Sequence, residues 1–237
     1  MEYFLEILKT TLWYALPIWA LFLIFVLIRK YIPLQDYISR KILHLIAVAG
    51  VIPLILVPVH WWVGEITIGI CAVLLIALLL ILERFDFYKK IFIEKFKHEI
   101  VVSFIIYFTV MASLIAFFWG YRGEGHKYYA MIAIFCWGLG DAGASVFGHI
   151  FGEHKFKTKL IEEGKSVEGS AMCFTLSLLI SLLLLVALDL MVWWLAIIEA
   201  VTVGIVVCLT ELFSRKGLDN LTCPIMAGLV LFLFSLI

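Results

Sequence analysis

The sequence predicts an all-α integral membrane protein of about eight transmembrane helices, and three observations carry that prediction. Of 237 residues, 65% are apolar and only 15% charged, and the mean hydropathy is +1.12; a soluble domain typically carries about 25% charged residues. Eight apolar runs approach the roughly 20 residues that a helix needs to cross a bilayer core about 30 Å thick. Basic residues are concentrated in alternate connections between those runs, as they are when lysine and arginine mark cytoplasmic loops. This composition excludes a cytosolic globular enzyme, a nucleic-acid binder and a disordered tail. Lys+Arg 18 equals Asp+Glu 18, so no net charge points to a polyanionic partner.

The runs cover 10–28, 45–63, 66–82, 100–120, 128–150, 170–188, 191–210 and 221–237. Asp141 interrupts the fifth and Glu199 the seventh. Connections are short, which predicts one polytopic membrane domain over 1–237 with no separate soluble module. The connections at 29–44, 83–99, 151–169 and 211–220 carry four, five, four and two basic residues, and all other connections and ends together carry three. The positive-inside rule therefore puts those four on the cytoplasmic side and both termini outside. The opening MEYFLEILKT holds Glu2 and Glu6 where a signal peptide would be basic, so it reads as an uncleaved interfacial start. The five cysteines form no CxxC pair and mostly sit in apolar runs, as small hydrophobes do.

One connection stands apart. In DFYKKIFIEKFKHE, with Phe85 just before it, Phe85, Tyr88, Phe92 and Phe96 recur at helical spacing between lysines. That pattern suits an amphipathic helix on the inner leaflet or a basic-flanked connector that anchors topology.

An acid in mid-span costs roughly 2.5–3.5 kcal/mol on insertion scales and is a candidate site residue by default. Asp141 lies about 20 Å along its helix from Tyr128 at 1.5 Å per residue, in the inner half. Gly140, Ala144 and Gly148 form a smooth ridge at i, i+4, i+8 that permits close helix contact, and Asp141, Ser145 and His149 share the neighbouring stripe. The loop FGEHKFKTKLIEEGKSVEGS follows, with Lys155, Lys157, Lys159 and Lys165 beside Glu162, Glu163 and Glu168. Its lysines also serve orientation, but Gly164-Lys165-Ser166 directly precedes a helix, where a glycine turn and a lysine make a natural phosphate cradle. It is not a Walker A loop, which would need glycine where Lys159 stands.

Two further groups fall on the same predicted face. Arg40, Lys41 and His44 open the second span at helical spacing, serving as anchors or as a cationic site. Glu211 closes the seventh span, and Asp219, Asn220 and Thr222 precede Pro224, where they equally suit helix capping. Glu83-Arg84 suits an interfacial ion pair; Glu199 lies nearer the outer half and has no assigned role. His60, Glu65, His126 and Asp189 fall outside. Carboxylates suit Mg²⁺ shared with substrate phosphates, cations neutralise phosphoryl oxygens, and phosphoryl transfer needs chiefly that combination.

Arg40-Lys41-x-x-His44, Gly140-Asp141-Ala142 through Gly148, Phe151-Gly152-x-His154-Lys155, Gly164-Lys165-Ser166-Val167-Glu168-Gly169, and Glu211 with Asp219-Asn220-Leu221-Thr222-x-Pro224 resemble the polyprenol kinase family, which includes dolichol, phytol and farnesol kinases and a CTP-dependent diacylglycerol kinase. The similarity spans about residues 40 to 225. It implies a multi-pass lipid kinase that uses a nucleoside triphosphate, CTP favoured, to phosphorylate a membrane-embedded isoprenoid alcohol such as phytol, geranylgeraniol or dolichol at the cytoplasmic face. The membrane would be the plasma membrane of a prokaryote or an organelle membrane of a eukaryote. Asp141, Lys165, Glu168 and His44 are the implied catalytic positions. Asp141 and Asp219, with Glu168, would hold Mg²⁺. Arg40, Lys41, His154, Lys155, Gly164, Lys165, Ser166 and Asn220 would bind nucleotide or phosphate. The alternatives are a CTP:lipid-phosphate cytidylyltransferase, whose second C-terminal signature is replaced here by DNLT, and a transporter or channel using Asp141 and Glu199. A transporter predicts polar residues through both leaflets, whereas these crowd one side.

Overall fold

A computed structural model describes residues 1–85, 88, 92, 98–215 and 217–237. The described residues are helical, with no strand and a lone antiparallel bridge between Lys155 and Ser166. In chain order the main helices are α1 (Glu2–Tyr31), α2 (Asp36–Ala49, continuing through Gly50 into Val51–Leu56), α3 (Trp61–Leu82), α4 (Glu99–Ile115, ending in a π-helical turn at Ala116–Tyr121), α5 (Lys127–Ile150), α6 (Val167–Ala187), α7 (Trp193–Phe213) and α8 (Asp219–Phe234). The first seven are long and apolar enough to cross a membrane, and α8 is apolar but has 16 residues. Helix is the expected solution for such a chain, because it satisfies every mid-segment backbone N–H and C=O where the surroundings offer no water.

Several helices outrun the apolar windows that announce them. α1 begins at Glu2 and not at residue 10, and α2 begins at Asp36 and not at 45, which leaves only four residues between them. The expected connection 29–44 is therefore mostly helix. Charged residues are compatible with helix wherever their side chains can leave the apolar layer: Arg29 and Lys30 occupy the last turn of α1, where cations oppose the helix dipole, and Arg29 pairs with Asp36 at 3.3 Å. α2 also stops at Leu56, earlier than the window 45–63 suggests.

The helices form two compact units, Met1–Lys127 and Tyr128–Ile237. In the first, Tyr107 of α4 donates to the Ala47 carbonyl of α2 at 2.5 Å. Gly50 leaves room for the Tyr14 ring of α1, since a Cβ there would meet Tyr14 Cε2 at 2.9 Å. Leu79, Tyr88, Phe92 and Val101 form a buried cluster, so two members of the aromatic series at 85–96 pack inward; Phe96 and most of that connection lie outside the described residues. Glu83 meets His98 at 2.5 Å.

The second unit rests on a seam of small residues. Ser177 Oγ of α6 donates to the Cys136 carbonyl of α5 at 2.9 Å. A Cβ on Gly140 would lie 2.5 Å from Ser177 Oγ and 3.2 Å from Cys173 Sγ, and one on Gly148 would lie 3.2 Å from Ser166 Oγ and 3.6 Å from Gly169 Cα. Partner numbers fall on α6 as they rise on α5, so the two helices are antiparallel, and the ridge expected from Gly140 and Gly148 is the contact surface. Gly204 of α7 sits against Phe174 and Leu178 of α6, and Cys208 Sγ donates to the Ser170 carbonyl; this pair is antiparallel as well.

A side chain at the seam has nowhere to go. Gly140→Leu should lower unfolding free energy by about 1–3 kcal/mol through overpacking, measured by thermal denaturation in detergent. Gly69→Leu, at a position with open space around it, should leave the transition unchanged.

Candidate functional site

Antiparallel order puts the C-terminal ends of α5 and α7 and the N-terminal ends of α6 and α8 at one end of the second unit. The candidate residues of that unit come together there because the topology delivers them. Asp141 is 6% exposed and lies nine residues before Ile150, roughly 13 Å into the bundle at 1.5 Å per residue. The carboxylates of Asp141 (α5), Glu211 (α7) and Asp219 (α8) all lie within electrostatic range of the Cys223 thiol of α8. Asp141 and Glu211 act likewise on Cys173 of α6. The Cys223 thiol is thus within electrostatic range of an acid from each of three helices, and the Cys173 thiol of two of them.

The loop between α5 and α6 is a compact strap. Phe156 N–H donates to the Lys165 carbonyl at 3.1 Å and Val167 N–H to the His154 carbonyl at 3.0 Å, which bring its two ends together. Lys155 Nζ crosses between them, donating to the carbonyls of Gly148 at 2.8 Å and Gly164 at 3.1 Å. The turn at Gly164 has φ +96°, a left-handed conformation that glycine adopts without a Cβ penalty. Gly152 is required by space, because a Cβ would overlap the Gly148 carbonyl and sit 2.7 Å from Lys155 Nζ. Ser166 is the N-cap of α6: its Oγ accepts from Gly169 N–H at 3.2 Å and it is 2% exposed. Its hydroxyl is therefore part of the scaffold.

Lys165 leaves the strap and turns to α7. Its Nζ lies 2.9 Å from Glu211 Oε1, donates to the Glu211 carbonyl, and donates to the Ser214 carbonyl at 3.2 Å. The two side chains are 18% and 9% exposed. The lysine also caps the end of α7, supplying donors to carbonyls that the helix cannot satisfy itself. Ser214 Oγ is 2.8 Å from Thr222 Oγ1, tying α7 to α8. Glu211 carries no role in the motif reading, although an acid at the same predicted end of a span as a lysine-bearing loop is the signal that would have paired it with Lys165.

Glu168 stands in a different contact. Its Oε1 is 2.6 Å from His154 Nδ1 and accepts from His154 N–H at 3.2 Å, so the two residues close the strap across the first turn of α6. The capping reading of Asp219 and its neighbours is corrected: the N-cap of α8 is Leu218 with no side-chain cap bond. Asp219 lies in the first helical turn, where the dipole favours an anion, Asn220 follows, half-buried, and Thr222 Oγ1 donates back to the Leu218 carbonyl at 2.9 Å. His149 is exposed at the end of α5.

Arg40, Lys41 and His44 belong to the first unit and share α2, with Arg40 and His44 at i, i+4. Arg40 Nη1 is 3.8 Å from Glu99 Oε1 at the start of α4.

Among the described residues, no three His, Cys, Asp or Glu side chains are grouped to hold a metal ion by themselves. Mg²⁺ asks for less when phosphates and water complete its octahedron, since one or two carboxylates then suffice. Asp141 and Asp219, hard oxygen donors brought to the same thiol, fit that lesser demand; Glu168, held by His154, serves the strap. No family model, curated protein or solved structure matches the chain.

Lys165 and Glu211 should behave as a coupled pair. Lys165→Met and Glu211→Gln alone each leave an opposing charge poorly compensated and should each cost roughly 2 kcal/mol or more of unfolding free energy, below the 3–5 kcal/mol of a fully buried pair. The double variant should recover part of that loss, giving a coupling of about 0.5–3 kcal/mol in a denaturation-based double-mutant cycle.

Proposed function

We propose that this protein is a membrane-embedded lipid kinase that transfers the γ-phosphoryl group of a nucleoside triphosphate, CTP favoured, to the hydroxyl of an isoprenoid alcohol at the cytoplasmic face. The observation that carries this reading is the gathering of Lys165, Glu211, Asp141 and Asp219 at one end of a four-helix unit, beneath a strap held by Lys155 and hinged at Gly164. The motifs that resemble the polyprenol kinase family supply those residues, apart from the pairing role of Glu211.

Phosphoryl transfer needs little covalent participation from the protein, and positioning and charge stabilisation do most of the work. Lys165 is placed for this. Its ammonium sits on a carboxylate and two carbonyls, partners that a triphosphate oxygen can replace without moving the helix ends that define its position. The strap holds Lys165 and the amides near Gly164 at the start of α6, where the helix dipole favours an anion. Asp141 and Asp219 would hold Mg²⁺, which when bound neutralises phosphate charge. The alcohol oxygen forms the new bond to the γ-phosphorus, the bond to the β,γ-bridging oxygen breaks, and the nucleoside diphosphate leaves. The hydroxyl proton passes to a carboxylate of the cluster. An end of a transmembrane unit suits these substrates, because a water-soluble nucleotide arrives from one side and an insoluble alcohol from within the lipid.

Transfer of label from γ-labelled CTP and ATP to phytol, geranylgeraniol, a longer polyprenol and diacylglycerol tests the proposal. Labelled lipid phosphate with nucleoside diphosphate is the expected product; pyrophosphate with CDP-lipid indicates a cytidylyltransferase, and no lipid product with any acceptor overturns the kinase reading. Lys165→Ala should lower kcat at least about 100-fold, the loss expected for one preorganised charge-stabilising donor, in protein whose helical content is unchanged by circular dichroism.

A further inference from the structure

α7 carries a second acid that the charged end does not use. Glu199 lies twelve residues before Glu211, roughly 18 Å away along the helix at 1.5 Å per residue. It is 0% exposed, and among the described residues neither carboxyl oxygen has a hydrogen-bond partner. Its own helix surrounds it with the buried apolar residues Ala196, Ala200 and Val203.

The groups around it explain why no donor comes to meet it. The titratable group facing Glu199 from α5 is the Cys136 thiol, which in turn contacts the Ser181 hydroxyl of α6. Hydroxyls at this level are committed elsewhere: Ser177 Oγ donates to the Cys136 carbonyl at 2.9 Å, and Ser181 Oγ donates to the carbonyls of Ser177 at 2.8 Å and Leu178 at 3.0 Å. The Cys136 thiol donates to the Ser177 carbonyl at 3.5 Å. No countercharge is supplied by α6, which has no acid or base beyond Glu168, or by α8, which has none beyond Asp219. Both belong to the other end of the unit.

An ionised carboxylate in such a place, with neither donor nor cation, would bear the full desolvation penalty of its charge. A metal cation would need several oxygen donors turned towards it, and no metal-holding group of three His, Cys, Asp or Glu side chains occurs among the described residues. A proton needs only the carboxyl group itself. We infer that Glu199 is a proton-binding site within the second unit, occupied as a neutral carboxylic acid and separate from the charged end that carries Asp141 and Lys165.

The experiment is infrared spectroscopy of the full-length protein and Glu199→Gln in detergent at neutral pH, in sodium chloride and in choline chloride. The expected result is a carboxylic-acid C=O stretch in the wild type that vanishes in Glu199→Gln, persists in Asp141→Asn, and is the same in both salts. Absence of a Glu199-dependent acid band overturns the inference, as does a band lost in sodium, which would assign a metal cation to the site. Should Glu199→Gln fail to fold, dicyclohexylcarbodiimide labelling of the wild type decides. The protonated carboxyl adds through oxygen to the carbodiimide carbon, its proton passes to nitrogen, and acyl migration leaves a stable N-acylurea. Mass spectrometry should find that adduct on Glu199, and an unlabelled Glu199 overturns the inference.

Discussion

The close approach of α5 to α6 is the constraint on which the candidate site depends. In a membrane, helices gain little from burying apolar surface against one another, because lipid is equally apolar; contact must come from packing and from hydrogen bonds between helices. Gly140 on α5 admits Ser177 of α6 at a distance that a Cβ would block, Gly148 lies close to the Ser166 cap and Gly169, and Ser177 bonds across the seam. That contact sets the depth of Asp141 beside Cys173. It also determines where the strap between the helices must begin and end, and hence where Lys165 emerges.

Lys165 joins structure to chemistry. A lysine held by a carboxylate and by carbonyls at a helix end is electrostatically comfortable, and the fold itself compensates its charge in a half-buried position. The strap serves the same end. Lys155 is spent on two carbonyls, Ser166 on a cap and Glu168 on His154, so three charged or polar residues of the motif hold the loop in shape around the fourth.

Motif reading names residues that the fold brings to this end, but not the contacts that they make with one another. Gly140, Gly148, Asp141, Gly164 and Lys165 stand out in the sequence because glycine ridges, intramembrane acids and a glycine-lysine turn each have a specific physical cause. Glu211 is singled out in the sequence but without a role, since an acid at the end of a span is ordinary until a lysine from a distant loop is found against it. Ser166 and Glu168 look like ligands for the same reason in reverse: a hydroxyl or carboxylate beside a phosphate-type turn serves equally to cap a helix or close a loop. Helix starts were read too late, with α1 and α2 both beginning well before their apolar windows, because hydropathy reports where lipid is tolerated and not where the backbone ceases to be helical.

By itself the sequence determined that the chain is helical and apolar enough to lie in a membrane, with its chemistry-bearing residues restricted to a few connections and two intramembrane acids. These are consequences of composition and spacing, which need no knowledge of neighbours. Tertiary structure alone decided that Asp141, Glu211 and Asp219 all lie within electrostatic range of the Cys223 thiol, that Lys165 pairs with Glu211 and Glu168 with His154, and that Glu199 has no hydrogen-bond partner among the described residues. Each of those is a contact between residues far apart along the chain, and antiparallel packing at a glycine seam, not local propensity, creates it.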